Sequence, residues 1–176
     1  VAFILTLDTI NFGSGYFPHL TKRPGMSGYF TLASSLNDYF KNHRPLSANE
    51  LSQLTIEDCA EIFNQYLNNH PIRELMHHFA TGLADLGDYV QKSFNGSFVD
   101  LVASADASAD RLVRILIQMP YFKDVASYGD LEIPFYKRAQ LTAADLALAF
   151  DETGPGNFDD LDNLTIFADN LVPHVL

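Results

Sequence analysis

Three stretches of the chain put reactive side chains where their types and spacing could do chemistry. Lys137 and Arg138 follow Phe135-Tyr136 and open a segment with helical character. Two cations at a helix start oppose the helix dipole by up to about 1 kcal/mol, and a bound anion would relieve that conflict. A solvated surface pair, or a pair salt-bridged within an acidic chain, explains them as well. Asp169 closes the run Leu164-Thr165-Ile166-Phe167-Ala168-Asp169 as the one acid in an otherwise apolar stretch. Asp8 interrupts an apolar run in Leu7-Asp8-Thr9-Ile10-Asn11-Phe12, just ahead of Gly13-Ser14-Gly15. Cations, aromatic rings and lone carboxylates are what is needed to hold a phosphate, stack a base and stabilise a cationic sugar.

Other candidates read as structural. His77 and His78 are adjacent, so on a helix they point about 100° apart and share a metal poorly. No HExxH pattern occurs, and neither a metal nor a cofactor is expected. Cys59, the single cysteine, falls on the apolar stripe of its segment and reads as a core thiol rather than a nucleophile. Gly13-Ser14-Gly15 lacks the spacing of a phosphate loop and reads as a turn. Asp159, Asp160 and Asp162 suit the start of a last helix, where acids favour the dipole.

Among the elements that must position these groups, Val1–Thr9 reads as a buried strand, apolar and β-branched. A Gly/Ser/Pro-rich loop follows to Gly28, and Tyr29–Asn42 reads as a helix. Ser47 with Glu50 and Thr55 with Asp58 match helix capping boxes. The second opens an amphipathic pattern through Ile56, Cys59, Ala60, Phe63, Tyr66 and Leu67. Pro71 suits a first turn, and a long helix runs from it to about Phe94, where Asn95-Gly96 stops it. Further helices are expected at Phe98–Ala103, Asp110–Met119, Lys137–Phe150 and Asp159–Leu171, with a turn or small hairpin around Gly129-Asp130. On the last of these helices Asp169 lies at the edge of an apolar face, either as a rim residue or as a group facing a pocket. The fold class is therefore mainly α with a few short strands (α+β).

The 176 residues suggest one domain, 47% hydrophobic and 19% charged, which permits a sizeable core. A net charge of −11 disfavours a nucleic-acid backbone as a stable partner, but two local cations can still hold a small anion. One cysteine excludes an internal disulfide and points to a reducing, cytoplasmic compartment. No apolar run of about 18 residues suggests a membrane span. The chain starts and stops within apolar runs, as a trimmed domain would.

Taken together, Leu7-Asp8-Thr9-Ile10-Asn11-Phe12, Phe135-Tyr136-Lys137-Arg138-Ala139-Gln140 with Ala143-Ala144-Asp145-Leu146, and Leu164-Thr165-Ile166-Phe167-Ala168-Asp169 resemble the motifs of the queuosine salvage family, in the same order and across most of the chain. The resemblance implies a helical, DNA-glycosylase-like domain that hydrolyses the N-glycosidic bond of queuosine 5′-phosphate, releasing queuine and ribose 5-phosphate for tRNA modification. It implies Asp169 as the catalytic carboxylate. It implies substrate contacts from Asp8, Asn11, Phe12, Lys137, Arg138 and Phe167: phosphate for the cations, stacking for the rings, the base's amine for Asp8. It also implies a monomer and further base contacts beyond both ends of this chain. The rival readings are a helical nucleotide-binding module without chemistry and a DNA-glycosylase-like enzyme acting on a flipped base.

Overall fold

The computed structural model describes residues 1–168. Helix α5 (His70–Phe94) is its spine, 25 residues and about 37 Å long. Asn69 caps it through a 2.9 Å bond from the Ile72 amide, Pro71 occupies the first turn, and Asn95 ends it in the left-handed conformation. Leu75, Met76, Phe79, Leu83, Leu86 and Val90 are buried along it at helical spacing. Against it pack α1 (Ala2–Thr9), α3 (Ala48–Leu51), α4 (Ile56–Ile62) and α6 (Phe98–Ala103); α2 (Gly28–Asn42) packs on α1 and α4, α8 (Lys137–Ala149) packs on α1, and α7 (Ala109–Leu116) packs on α8. Helix α3 approaches so closely that a Cβ on Gly87 would sit 2.4 Å from the Ala48 carbonyl. The architecture is thus mainly helical.

The only sheet among the described residues is a hairpin of β1 (Val125–Tyr128) and β2 (Leu131–Pro134), paired antiparallel from Val125↔Pro134 to Tyr128↔Leu131. Gly129, at φ 59°, makes the two-residue turn. The hairpin base is closed by the amides of Phe135 and Tyr136, which both donate to the Asp124 carbonyl, at 2.9 and 3.2 Å. The hairpin therefore hands the chain straight into α8.

Three expected elements differ. Val1–Thr9 is helical, not a strand. Leu5 through Thr9 are buried consecutively, polar and apolar alike, so this stretch is covered on every side, and such a run has no period that separates a buried strand from a buried helix. The Thr6 and Thr9 hydroxyls are absorbed within the helix, donating to the carbonyls of Ala2 (2.8 Å) and Leu5 (2.7 Å). The amphipathic pattern beginning at Ile56 stops at Ile62, because Asn64 turns left-handed at φ 51° and the Gln65 side chain binds Thr21 instead. Tyr66 is consequently exposed.

The last helix is the third difference. Only a short 3-10 turn, Leu161–Asn163, forms, and residues 164–168 are not helical. Asp160, expected to cap its own helix, caps α7: its carboxylate accepts from Ser108 Oγ (2.8 Å) and from the amides of Ala109 (2.5 Å) and Asp110 (3.3 Å). The Asp159 amide donates to the Ala107 carbonyl at 2.8 Å. The Asp160 carboxylate is spent on a neighbour, and no side chain caps the short turn that follows it. The helical projection that set Asp169 at an apolar edge therefore has no helix beneath it up to Ala168. Asp169 itself lies outside the described residues.

Candidate active site

The C-terminal half of α1 is buried, and the chain leaving it delivers Asn11 and Phe12 to the edge of the core. Gly13 follows at φ 80°, where a Cβ would lie 2.8 Å from Leu75 Cδ1, so the turn needs glycine on both counts. Phe12 is half-buried and surrounded by rings. It meets Phe79 edge-on at 5.4 Å and Tyr121 at 5.3 Å, with His78 at 6.4 Å. The Tyr121 hydroxyl and His78 Nδ1 are hydrogen-bonded at 3.0 Å. One polar pair thus flanks the Phe12 ring.

The two cations enter from the opposite side. Tyr136 precedes α8 with φ 49° and ψ 33°, a left-handed conformation that costs an aromatic residue about 1 kcal/mol or more. Among the described residues no side chain caps this helix. The Arg138 guanidinium lies 5.2 Å over the Phe12 ring, and its Nη2 donates to the Tyr121 carbonyl. Its Nε is buried and has no hydrogen-bond partner among the described residues. Burial lowers its pKa, against the opposing pull of Asp124 and Tyr121. Lys137 is half-buried beside it.

Arg138, Thr142 and Asp145 follow at i, i+4 and i+7, so they share one face of α8. Helix α1 packs on α8, and Asp8 faces Thr142 and Asp145. Asp8 is fully buried. Desolvation first, then the neighbouring Asp145 charge, holds its pKa well above the ordinary carboxylate value. Burial also raises Asp145, and it raises Tyr29 of α2, with the charges of Asp8 and Asp145 adding to the Tyr29 shift.

Gln140 ties α8 to the third stretch. It is buried, and its amide is fully used. Nε2 donates to the Phe135 carbonyl (2.9 Å) and to Thr165 Oγ1 (3.0 Å). Oε1 accepts from the Thr165 amide (2.8 Å) and lies 3.1 Å from the Thr165 hydroxyl. A cleft of about 420 Å³ opens here, lined by Tyr136, Gln140, Asp160, Asn163, Leu164 and Thr165 among others. Phe167 is half-buried two residues beyond this clamp.

Of the residues singled out in the sequence, the structure thus joins Phe12 to Arg138, sets Asp8 one layer deeper on the same pair of helices, and leaves Asn11 half-buried at the rim. Asp145, Tyr29, Tyr121, His78 and Gln140 were not among the predicted site residues. Asp145 carried a signal, an acid within the apolar Ala143-Ala144-Asp145-Leu146. Tyr121 and His78 carried none, because what makes them notable is a contact between residues 43 apart. Cys59 is buried, its thiol pushed up to about 12 by desolvation, which suits a core position. No group of three or more His, Cys, Asp or Glu among the described residues could hold a metal. None of the described helices is long and apolar enough to cross a membrane.

The family described as queuosine salvage protein matches this chain over residues 1–176. The chain belongs to that family. It is 38% identical over 179 residues to the queuosine 5′-phosphate N-glycosylase/hydrolase of Sphaerobacter thermophilus, covering 99% of this chain and 54% of the relative. Proteins of the same name from Dictyostelium discoideum (33% identical, 99% of this chain, 51% of the relative) and Nematostella vectensis (31% identical, 100% and 52%) are similar over the same extent. The chain spans about half the length of these curated relatives. All three motif stretches lie within that matched half, and two of them meet at Phe12 and Arg138.

Proposed function

We propose that the full-length protein hydrolyses the N-glycosidic bond of queuosine 5′-phosphate, yielding queuine and ribose 5-phosphate. One observation carries the reading: three stretches far apart in the chain converge on the first turn of α8. Phe12 of the first lies under Arg138 of the second, and Gln140 of the second grips Thr165 of the third. Family membership and the names of the relatives point the same way.

Breaking the bond between ribose and base builds positive charge on the sugar. Asp169, four residues after Thr165, is the carboxylate assigned to that charge, by electrostatic stabilisation or by attack at the anomeric carbon. Lys137 and Arg138, beside the uncapped start of α8, hold the 5′-phosphate. Arg138 spends one bond on Tyr121 and keeps further donors for the ligand. Phe12 and Phe167 stack the base, and Asn11 contacts its edge. Asp8 and the half-buried Asp145 together present negative charge to the cationic amine of queuine, with Asp145 the member nearer solvent. The substrate is a small molecule handled by a cytoplasmic monomer, in keeping with the single buried cysteine and the −11 charge.

The test is incubation of the full-length protein with queuosine 5′-phosphate and detection of free queuine. Release of queuine supports the reading. Saturable binding of the nucleotide without release would make the protein a binding module instead.

A further inference from the structure

Asp8 is a buried carboxyl group whose needs the fold leaves unmet. It has no solvent exposure, and among the described residues neither oxygen accepts a hydrogen bond. The nearby Thr142 hydroxyl donates its proton to the Arg138 carbonyl at 3.0 Å, so that donor is already spent. What faces Asp8 is a second carboxyl group, Asp145, on the face of α8 that also carries Arg138 and Thr142. Ionised carboxylates only accept hydrogen bonds. Two of them side by side in a low dielectric repel, and neither supplies what the other lacks. A single proton resolves both problems: carried by one carboxyl group, it is donated to the other.

We propose that Asp8 and Asp145 form a carboxyl–carboxylate pair that holds one proton and locks the C-terminal turn of α1 to α8. The lock matters because of what each helix carries beside it. The α1 end leads into Asn11-Phe12, and the same face of α8 bears Arg138 one turn before Thr142. Holding the two helices in register holds the guanidinium 5.2 Å over the Phe12 ring. Asp8 and Asp145 are in this respect positioning residues. That consequence rests on the proposed roles of Phe12 and Arg138 in binding substrate, whereas the shared proton does not.

The charges that reach Asp8 come from Asp145 on α8 and Tyr29 on α2. The buried residues of α5 and α6, which also pack against α1, carry no titratable group. Burial and the Asp145 charge raise the folded pKa of Asp8 above its ordinary value of 3.8. The folded protein therefore binds this proton more tightly than the unfolded chain. Its contribution to stability is complete below the unfolded value and is lost as pH rises through the folded value.

The experiment is infrared difference spectroscopy of the full-length protein with carbonyl-labelled aspartate, with thermal unfolding across pH. At pH 7 a protonated aspartyl carbonyl band is expected in the wild type; it disappears in Asp8→Asn and shifts in frequency in Asp145→Asn, where the carboxyl group loses its carboxylate acceptor. In Asp8→Asn the introduced amide donates permanently to Asp145, so the Tm of this variant declines less from about pH 4 upward than that of the wild type. Absence of the band in the folded wild type overturns the proposal even if neither variant folds. So does a band that survives Asp8→Asn or is unmoved by Asp145→Asn, or a Tm with the same pH slope in wild type and Asp8→Asn. No substrate is involved, so these outcomes stand apart from failure to release queuine.

Discussion

The α3–α4 corner and the α1–α8 junction solve the same problem, the satisfaction of polar groups, in opposite ways. At the corner every solution is local. Ser47 accepts from the Glu50 amide at 3.3 Å while Glu50 reaches back to the Ser47 amide at 2.9 Å, and Thr55 and Asp58 repeat the box at 3.1 and 2.8 Å. Arg44 adds a two-pronged contact to Glu50, whose pKa these bonds pull down to about 2. At the junction the partners come from residues scattered along the chain. Asp8 faces Asp145, Arg138 reaches Tyr121, and Gln140 grips Thr165. Some polar atoms there have no partner among the described residues: both Asp8 oxygens and Arg138 Nε. A fold stabilises itself at the first kind of place and keeps unmet polar capacity at the second, where a ligand or a proton can supply it.

The sharpest way to break this contrast is through Asp169. Replacing Asp169 with Asn should lower the rate of queuine release by at least about 100-fold while leaving the Tm unchanged, the usual scale for a group aimed at transition-state charge. Near-normal turnover would remove Asp169 from the mechanism and leave the junction without its proposed purpose.

The cations come next. Full-length protein should strongly prefer queuosine 5′-phosphate over the free nucleoside, and Lys137→Ala/Arg138→Ala should erase that preference. Kinetics on both substrates decide the matter. Equal preference in both proteins would reduce the pair to a surface and packing feature. Arg138→Ala alone should also lower stability by about 1.5–3 kcal/mol, since a hydrogen bond from a charged donor is lost along with the contact to Phe12.

The same contrast separates what could be read from the chain beforehand from what could not. Both capping boxes, Pro71 in its first turn, the Asn95 stop and the Gly129-Asp130 hairpin were legible, because each rests on residues within about four positions of one another. The identity of α1 was not, since a fully buried run carries no amphipathic phase. The end of the chain misled for a related reason. Asp159 and Asp160 look like caps, but a sequence does not tell which helix an acid will cap, and Asp160 serves α7 from 50 residues away. Residue type and motif likeness singled out Asp8, Phe12 and Arg138 one at a time. That Asp8 would face Asp145, or that Gln140 would grip Thr165, follows only from how α1, α8 and residues 164–168 come together.

The Gln140 clamp sharpens the comparison further, because it is well satisfied yet sits at the junction. Gln140→Leu removes every bond to Thr165 and leaves the Thr165 amide without its acceptor, so a loss of about 1–3 kcal/mol is expected. Turnover should fall with it, through kcat more than KM, because the segment leading to Asp169 is released while the phosphate contacts remain. Thr165→Val keeps the bond from its own amide and should cost less, about 0.5–1.5 kcal/mol. A Gln140→Leu variant with the wild-type kcat would make the clamp purely structural.

The smallest effect is expected at the corner, and it is the control that gives the others meaning. Thr55 is exposed, and its hydroxyl accepts only from the Asp58 amide three residues on while donating to the Asp58 carboxylate at 2.6 Å. Thr55→Ala removes one half of the capping box of a seven-residue helix and should cost about 1 kcal/mol by chemical denaturation. Helix α4 packs on α5 and α2, and it reaches Phe12 only at one remove, through Phe63 at its C-terminal end and Phe79 of α5, while Thr55 sits at its opposite end. The kcat and the preference for the monophosphate should both stay at wild-type values. Matched against Gln140→Leu at a similar loss of stability, the pair separates two explanations of any fall in turnover. If Thr55→Ala slowed queuine release as much as Gln140→Leu, activity would track global stability, and the junction would hold no special place in the molecule.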